Sequence, residues 1–198
     1  AKAEPVIFPK TLIHLPSRES KTKKDAVQTA IRVGRILFNK KSEQDYIDFL
    51  ILNTILGDYF GSRLMKNIRE DKGYTYGINS NLVELQETGY FIIATEVGKE
   101  FVEETLNEIQ NEIEKLQQHT ISKEELELVR NYMLGQLLKN ADGPYAMMDL
   151  FISAEMHGKE LAIYNKAILA IQNITPKRIR DLARTYLNWN DMCIFTAG

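Results

Sequence analysis

The chain has 198 residues, of which 44% are hydrophobic and 26% charged, and a formal net charge of −2. That composition excludes a disordered chain, and the near balance of charges gives no electrostatic case for nucleic acid as a partner. No apolar run approaches the roughly 20 residues that cross a bilayer, so membrane insertion is not expected, and the length favours one domain with one sizeable core.

Residues 1–25, with Pro5, Pro9 and Pro16 and the solvated basic cluster Lys21, Lys23 and Lys24, read as an extended lead-in holding one edge strand. The start AKAEP lacks an initiator methionine and a signal segment, and reads as a piece of a longer polypeptide. A single domain is expected over 26–198. It opens with Val27, Thr29, Ile31 and Val33 alternating with Gln28, Ala30, Arg32 and Gly34, a half-buried strand.

Ser42 stands three residues before Asp45 as a near capping box for DYIDFLILNTIL, whose apolar residues nearly encircle the helix and should make it the most buried. After Gly57 a short helix is expected over SRLMKNIRED, with Leu64, Met65 and Ile68 on one side and Gly73 as its left-handed C′ residue. Residues 75–85 and 89–97 suit a hairpin turning at ETG. A long amphipathic helix follows, marked by Phe101 or Val102, Thr105 or Leu106, Ile109, Ile113 and Leu116. Ser122 with Glu125 caps the next helix, to about Lys139. Gly143 and Pro144 start another over AMMDLFISAEMH, which Gly158 ends. One more covers Leu161 to Ile171, and Thr175 with Pro176 opens the last, before the closing strand CIFTA. Hairpin strands followed by grouped helices predict an α+β fold of two layers: a mostly antiparallel sheet with helices on one face, some of them packed on each other.

The residues offer little conventional catalytic chemistry. His14, His119 and His157 have no partner at the spacing that puts two imidazoles and a glutamate on one helix face, so no metal site is expected in this chain. There is no G-x-S-x-G elbow, and the lone Cys193 reads as a buried structural thiol. Arg69 and Tyr76 remain. A helix ending at Gly73 turns the chain back sharply, so an arginine in its last turn and a tyrosine opening the next segment can lie side by side. A guanidinium fork and a phenol could together hold a peptide backbone, or an oxyanion formed on it.

At these residues, LGDYFGSRLMKNIREDKGYTY, the sequence resembles the insulinase/pitrilysin family of zinc metallopeptidases, which includes the mitochondrial processing peptidase subunits. The likeness is to the family's second, non-catalytic domain, whose pattern joins Ser-Arg-Leu, a helix arginine and Gly-x-x-Tyr. ISKEELELVRNYMLG, TPKRIRDLARTYL and the closing apolar strand fall in family order, so the resemblance covers about residues 26–198. Asp58, Gly61 and Tyr74 depart from the family's usual glycine, serine and leucine.

The resemblance implies a substrate-binding domain of a metalloendopeptidase, inactive alone. It would face a sister domain or subunit that carries His-x-x-Glu-His, binds zinc and activates water. Arg69 and Tyr76 would reach across to bind the peptide near the scissile bond, and the peptide itself is expected to add as a strand to a sheet edge. The cell envelope or periplasm is the compartment that the resemblance favours. The alternative is a scaffold or interaction subunit of the same fold that has lost proteolysis.

Overall fold

The computed structural model describes residues 15–39, 43–85 and 88–198. His14, Ser42 and most of the lead-in lie outside the described residues. Chain order is β1 (Arg18–Lys21), β2 (Gln28–Leu37), α1 (Glu43–Leu56), a π-helical segment (Met65–Asp71), β3 (Ile78–Glu84), β4 (Gly89–Gly98), α2 (Val102–Gln118), α3 (Lys123–Asn140), α4 (Pro144–Met156), α5 (Ala162–Asn173), α6 (Pro176–Tyr186) and β5 (Cys193–Ala197).

The five strands form one sheet in the order β1-β5-β2-β4-β3, antiparallel except for the parallel pair β1 and β5. Period-two alternation divides its faces. Thr29, Ile31 and Val33 of β2, Phe91, Ile93 and Val97 of β4, and Ile194 of β5 are buried on the helix side. On the opposite face the register aligns Arg32 with Ala94 and Phe195, and Ala94 with Asn79. The α+β, mostly antiparallel architecture expected from the sequence is what forms. The lead-in's edge strand is β1.

Helix α1 carries the most continuous burial, with Phe49, Ile51, Leu52, Ile55 and Leu56 all essentially inaccessible. Helices α2 and α6 pack beside each other, α1 touches α6, and α3 and α5 rest on α1, so part of the helical layer packs on helices rather than on the sheet. The caps expected for α3 and α6 form: Ser122 Oγ accepts from Glu125 N at 3.1 Å, and Thr175 Oγ1 from Arg178 N at 3.2 Å. Helix α4 packs on α3 but leaves Tyr145, Met148, Ile152 and Met156 exposed.

Three local expectations change. Val27 is 86% exposed because the strand begins one residue later. Residues 75–77 do not join β3, since the hydroxyls of Thr75 and Thr95 take over their hydrogen bonds. Cys193 is half-buried rather than buried: strand parity puts Ile194 in the core and turns Cys193 to the open face, where Sγ lies 3.3 Å from the Leu15 carbonyl.

A polar clamp joins the first and last helices. Arg178 donates to Asp48 Oδ2 at 2.7 Å and to Asp45 Oδ1 at 2.5 Å, and the Tyr186 hydroxyl donates to Asp45 Oδ2. Burial pushes the Tyr186 phenol up, helped by its bond to Asp45, to about 12. Burial alone would also raise the Asp45 carboxyl, but the Tyr186 and Arg178 contacts outweigh it and hold the group below the usual carboxylate range. A carboxyl whose folded pKa is depressed stabilises the fold above its unfolded pKa and loses that contribution as pH falls through the folded value. A phenol whose pKa is raised stabilises below about 10, and the contribution is lost toward about 12. Tyr186→Phe should therefore cost about 1 kcal/mol at neutral pH, with the difference from wild type shrinking in acid as Asp45 protonates. Urea melts across pH check this, and a pH-independent difference would contradict it.

Candidate functional site

The site is assembled where α1 ends. Asn53, buried in the last turns of α1, donates through Nδ2 to the Ser80 carbonyl at 3.1 Å and accepts from the Ser80 hydroxyl at Oδ1, 2.7 Å away. The Ser80 N–H donates to the Gly57 carbonyl at 3.1 Å. These bonds fasten the helix end to β3 and leave no room for a side chain at Gly57. From there Asp58, Tyr59 and Phe60 run along the sheet margin. Tyr59 packs against Tyr132 of α3 with ring centroids 4.8 Å apart, and Phe60 stands 63% exposed.

The helix carrying Arg69 has a wider pitch than its sequence suggests. Lys72 N–H bonds to the Asn67 carbonyl five residues back at 3.0 Å, and Tyr74 N–H to that of Ile68 at 3.1 Å. Such π turns recur at functional sites. Leu64 and Ile68 anchor the segment in the core, and Gly73, at φ +68°, makes the left-handed exit that was expected of it. Thr75 then fixes the corner: Oγ1 donates to the Glu96 carbonyl at 2.8 Å and accepts from Gly77 N–H at 3.1 Å. Held between these bonds, Tyr76 projects outward, 93% exposed.

Tyr76 and Phe60 line a common groove of about 710 Å³ together with Ile78, Asn79, Asn81 and Ala94. The Arg69 guanidinium carbon lies 4.7 Å from the Phe60 ring centroid, a cation–π contact. Of the two residues singled out from the sequence, Tyr76 lines the groove, and Arg69, which is not among its lining residues, stands over the ring of Phe60, which is. Among the described residues no carboxylate pairs with Arg69, so its donor fork stays available.

Other polar groups of the groove are committed. Arg32 donates to Glu96 Oε1 at 2.7 Å and to the carbonyls of Ile31 and Thr95. Burial pushes the Asp58 carboxyl up. Phe60 was not identified from the sequence, although an aromatic residue immediately before Gly61 in a solvent-facing turn was a usable signal.

Strand addition is closed off along the first half of β3. Ser80 N–H is taken by Gly57, and Ile78 N–H points at Met65 Sδ, 3.5 Å away, so the loop and helix already cover that edge. An extended ligand in the groove would lie over the open face of β3 and β4 instead.

Among the described residues no group of three or more histidine, cysteine, aspartate or glutamate side chains is arranged to hold a metal. The groove brings two carboxylates and amide, phenol and guanidinium groups, a donor set that does not fit zinc. No described helix is long and apolar enough to cross a membrane.

Residues 1–133 match the family described as "Peptidase M16 inactive domain". A Bacillus subtilis (strain 168) protein named "Uncharacterized zinc protease YmxG" is 25% identical over 162 residues, 82% of this chain and 39% of its own length. A crystal structure of a peptidase M16 inactive domain from Pseudomonas fluorescens superposes with a TM-score of 0.83 at 23% identity, over 92% of this chain and 43% of that one. A Helicobacter pylori protease superposes with a TM-score of 0.87 at 16% identity, over 100% and 47%. The chain therefore spans less than half the length of each of these relatives.

Proposed function

Because this chain belongs to the peptidase M16 inactive-domain family, we propose that it is the substrate-binding, non-catalytic half of a zinc metalloendopeptidase. The carrying observation is the groove in which Phe60 and Tyr76 stand exposed with Arg69 stacked above. An exposed aromatic wall beside a guanidinium and a phenol suits a peptide: the rings take a side chain, and the donors take backbone carbonyls. Hydrolysis belongs to the half that supplies zinc and its activated water. This chain's residues bind and orient the peptide, and Arg69 and Tyr76 place donors where charge develops on the scissile carbonyl.

The catalytic half is either the remaining length of the same polypeptide or a separate subunit. The exposed apolar side of α4 is the surface that best suits contact with it, since a contiguous apolar helix face marks an interaction site. Met148→Glu combined with Ile152→Glu should leave the fold intact, both residues being exposed, and weaken association with the zinc-bearing half at least tenfold, as read by sedimentation. Unchanged association would place the contact elsewhere.

The proposal is tested by combining the chain with the zinc-bearing half and assaying an unstructured, internally quenched peptide. Chelator-sensitive cleavage that depends on this chain is expected. A stable assembly that never cleaves would favour the scaffold reading.

A further inference from the structure

The segment that carries Arg69 is tied to α2 from behind by the side-chain amide of Asn67. Asn67 Nδ2 donates one hydrogen to Glu108 Oε2 at 2.9 Å and the other to Glu112 Oε1 at 2.8 Å, both on α2. Glu112 is almost fully buried, and its carboxylate also accepts from Lys115 at 2.7 Å. Lys72 Nζ lies 3.8 Å from Glu108. Helix α2 is itself rigidly seated through Ile109 and Ile113, so the amide is tied to a fixed support.

The backbone of the same residue closes the wide turn, because the Asn67 carbonyl accepts the Lys72 N–H. Arg69 lies inside the span bounded by these two contacts. Leu64 and Ile68, with Met65 packed against the core, fix how deep the segment sits, but non-directional apolar packing does not by itself set its rotation. A two-hydrogen clamp to two carboxylates does, since bonds to ionised acceptors are both strong and directional.

We propose that Asn67 is the positioning residue for Arg69: its amide clamp to Glu108 and Glu112 orients the π turn so that the guanidinium lies over Phe60 at the groove. The functional part of this inference rests on Arg69 binding peptide. Asn67 itself faces α2 and is not among the residues that line the groove.

The first readout is spectroscopic and does not depend on activity. In NMR spectra of this chain, the Arg69 δ protons should carry a ring-current shift from Phe60, identified by its loss in Phe60→Leu. Asn67→Ala should remove more than half of that shift, while Lys66→Ala, on the same segment and exposed, leaves it in place. An Arg69 shift unchanged in Asn67→Ala, with Ile68 methyl resonances at their native positions, overturns the proposal. Should Asn67→Ala fail to fold, Glu108→Ala removes one of the two acceptors and should reduce the shift partially; no reduction likewise overturns it.

The second readout is a double-mutant cycle on kcat/KM in the assembled peptidase. Asn67→Ala should lower kcat/KM roughly tenfold, and add almost nothing once Arg69 is alanine. Full additivity would mean that Asn67 does not act through Arg69. Wild-type activity in Arg69→Ala alone would instead reject the peptide-binding role of Arg69 and leave the NMR result standing.

Discussion

Replacing Arg69 with alanine in the assembled peptidase is expected to lower kcat/KM by about 10- to 100-fold, and Tyr76→Phe by about tenfold, with zinc content unchanged in both. The magnitudes follow from what each change removes. Alanine deletes a charged donor fork, whereas phenylalanine keeps the ring on the groove and deletes one hydroxyl. Zinc content should not move because the described residues contribute no fitting group of metal donors. Stability should not move either, since Tyr76 is almost wholly exposed and Arg69 contacts the surface ring of Phe60 rather than the core. The split between kcat and KM carries further information. If the donors grip the ground-state peptide, KM rises alone; if they meet charge that develops during attack, kcat falls with kcat/KM. Wild-type rates in both variants would remove these residues from the site.

Local rules made much of this fold readable in advance. Alternation placed Thr29, Ile31 and Val33 on the buried face, serine and threonine marked the starts of α3 and α6, and a glycine was required where φ turns positive at residue 73. Features set by distant partners were not readable. An edge strand was expected within residues 1–25, but its place at RESK, which is wholly exposed, and its parallel pairing with β5 have no apolar pattern to announce them. The π turn was hidden for a different reason: the four-residue spacing of Leu64 and Ile68 suits a helix of either pitch, and the backbone bond from Lys72 to Asn67 that marks the wider one leaves no signal in the apolar pattern.

The candidate site divides in the same way. Arg69 and Tyr76 stood out because a helix, a C′ glycine and a returning segment bring them near one corner. Phe60 did not, because its role arises from where the Gly57 loop is laid down, and that is decided by contacts with β3.

The dependence of the loop on Gly57 supplies the second large expected effect. A Cβ on residue 57 would lie 2.5 Å from Ser80 Oγ, 2.8 Å from Ser80 N and 2.9 Å from Ser80 Cβ. A hydroxyl alone could rotate away, but here it is bonded to Asn53, and the backbone nitrogen belongs to a strand paired along its length with β4. Neither can yield without breaking a buried bond, so Gly57→Ala should cost about 2–4 kcal/mol, combining overpacking with the loss of buried hydrogen bonds. The damage should also reach the groove, because Asp58, Tyr59 and Phe60 follow directly and depend on the Gly57 carbonyl bond for their path. Ser80→Ala offers a partial remedy: it removes the hydroxyl that the new methyl would strike but keeps the backbone clash, and it leaves the buried Asn53 amide one partner short. The double variant should therefore regain only part of the lost stability in urea melts. Full recovery would show that the side chain of Ser80, not its backbone, is what requires a glycine at this turn; a Gly57→Ala chain as stable as wild type would show that the loop can be laid down in another way.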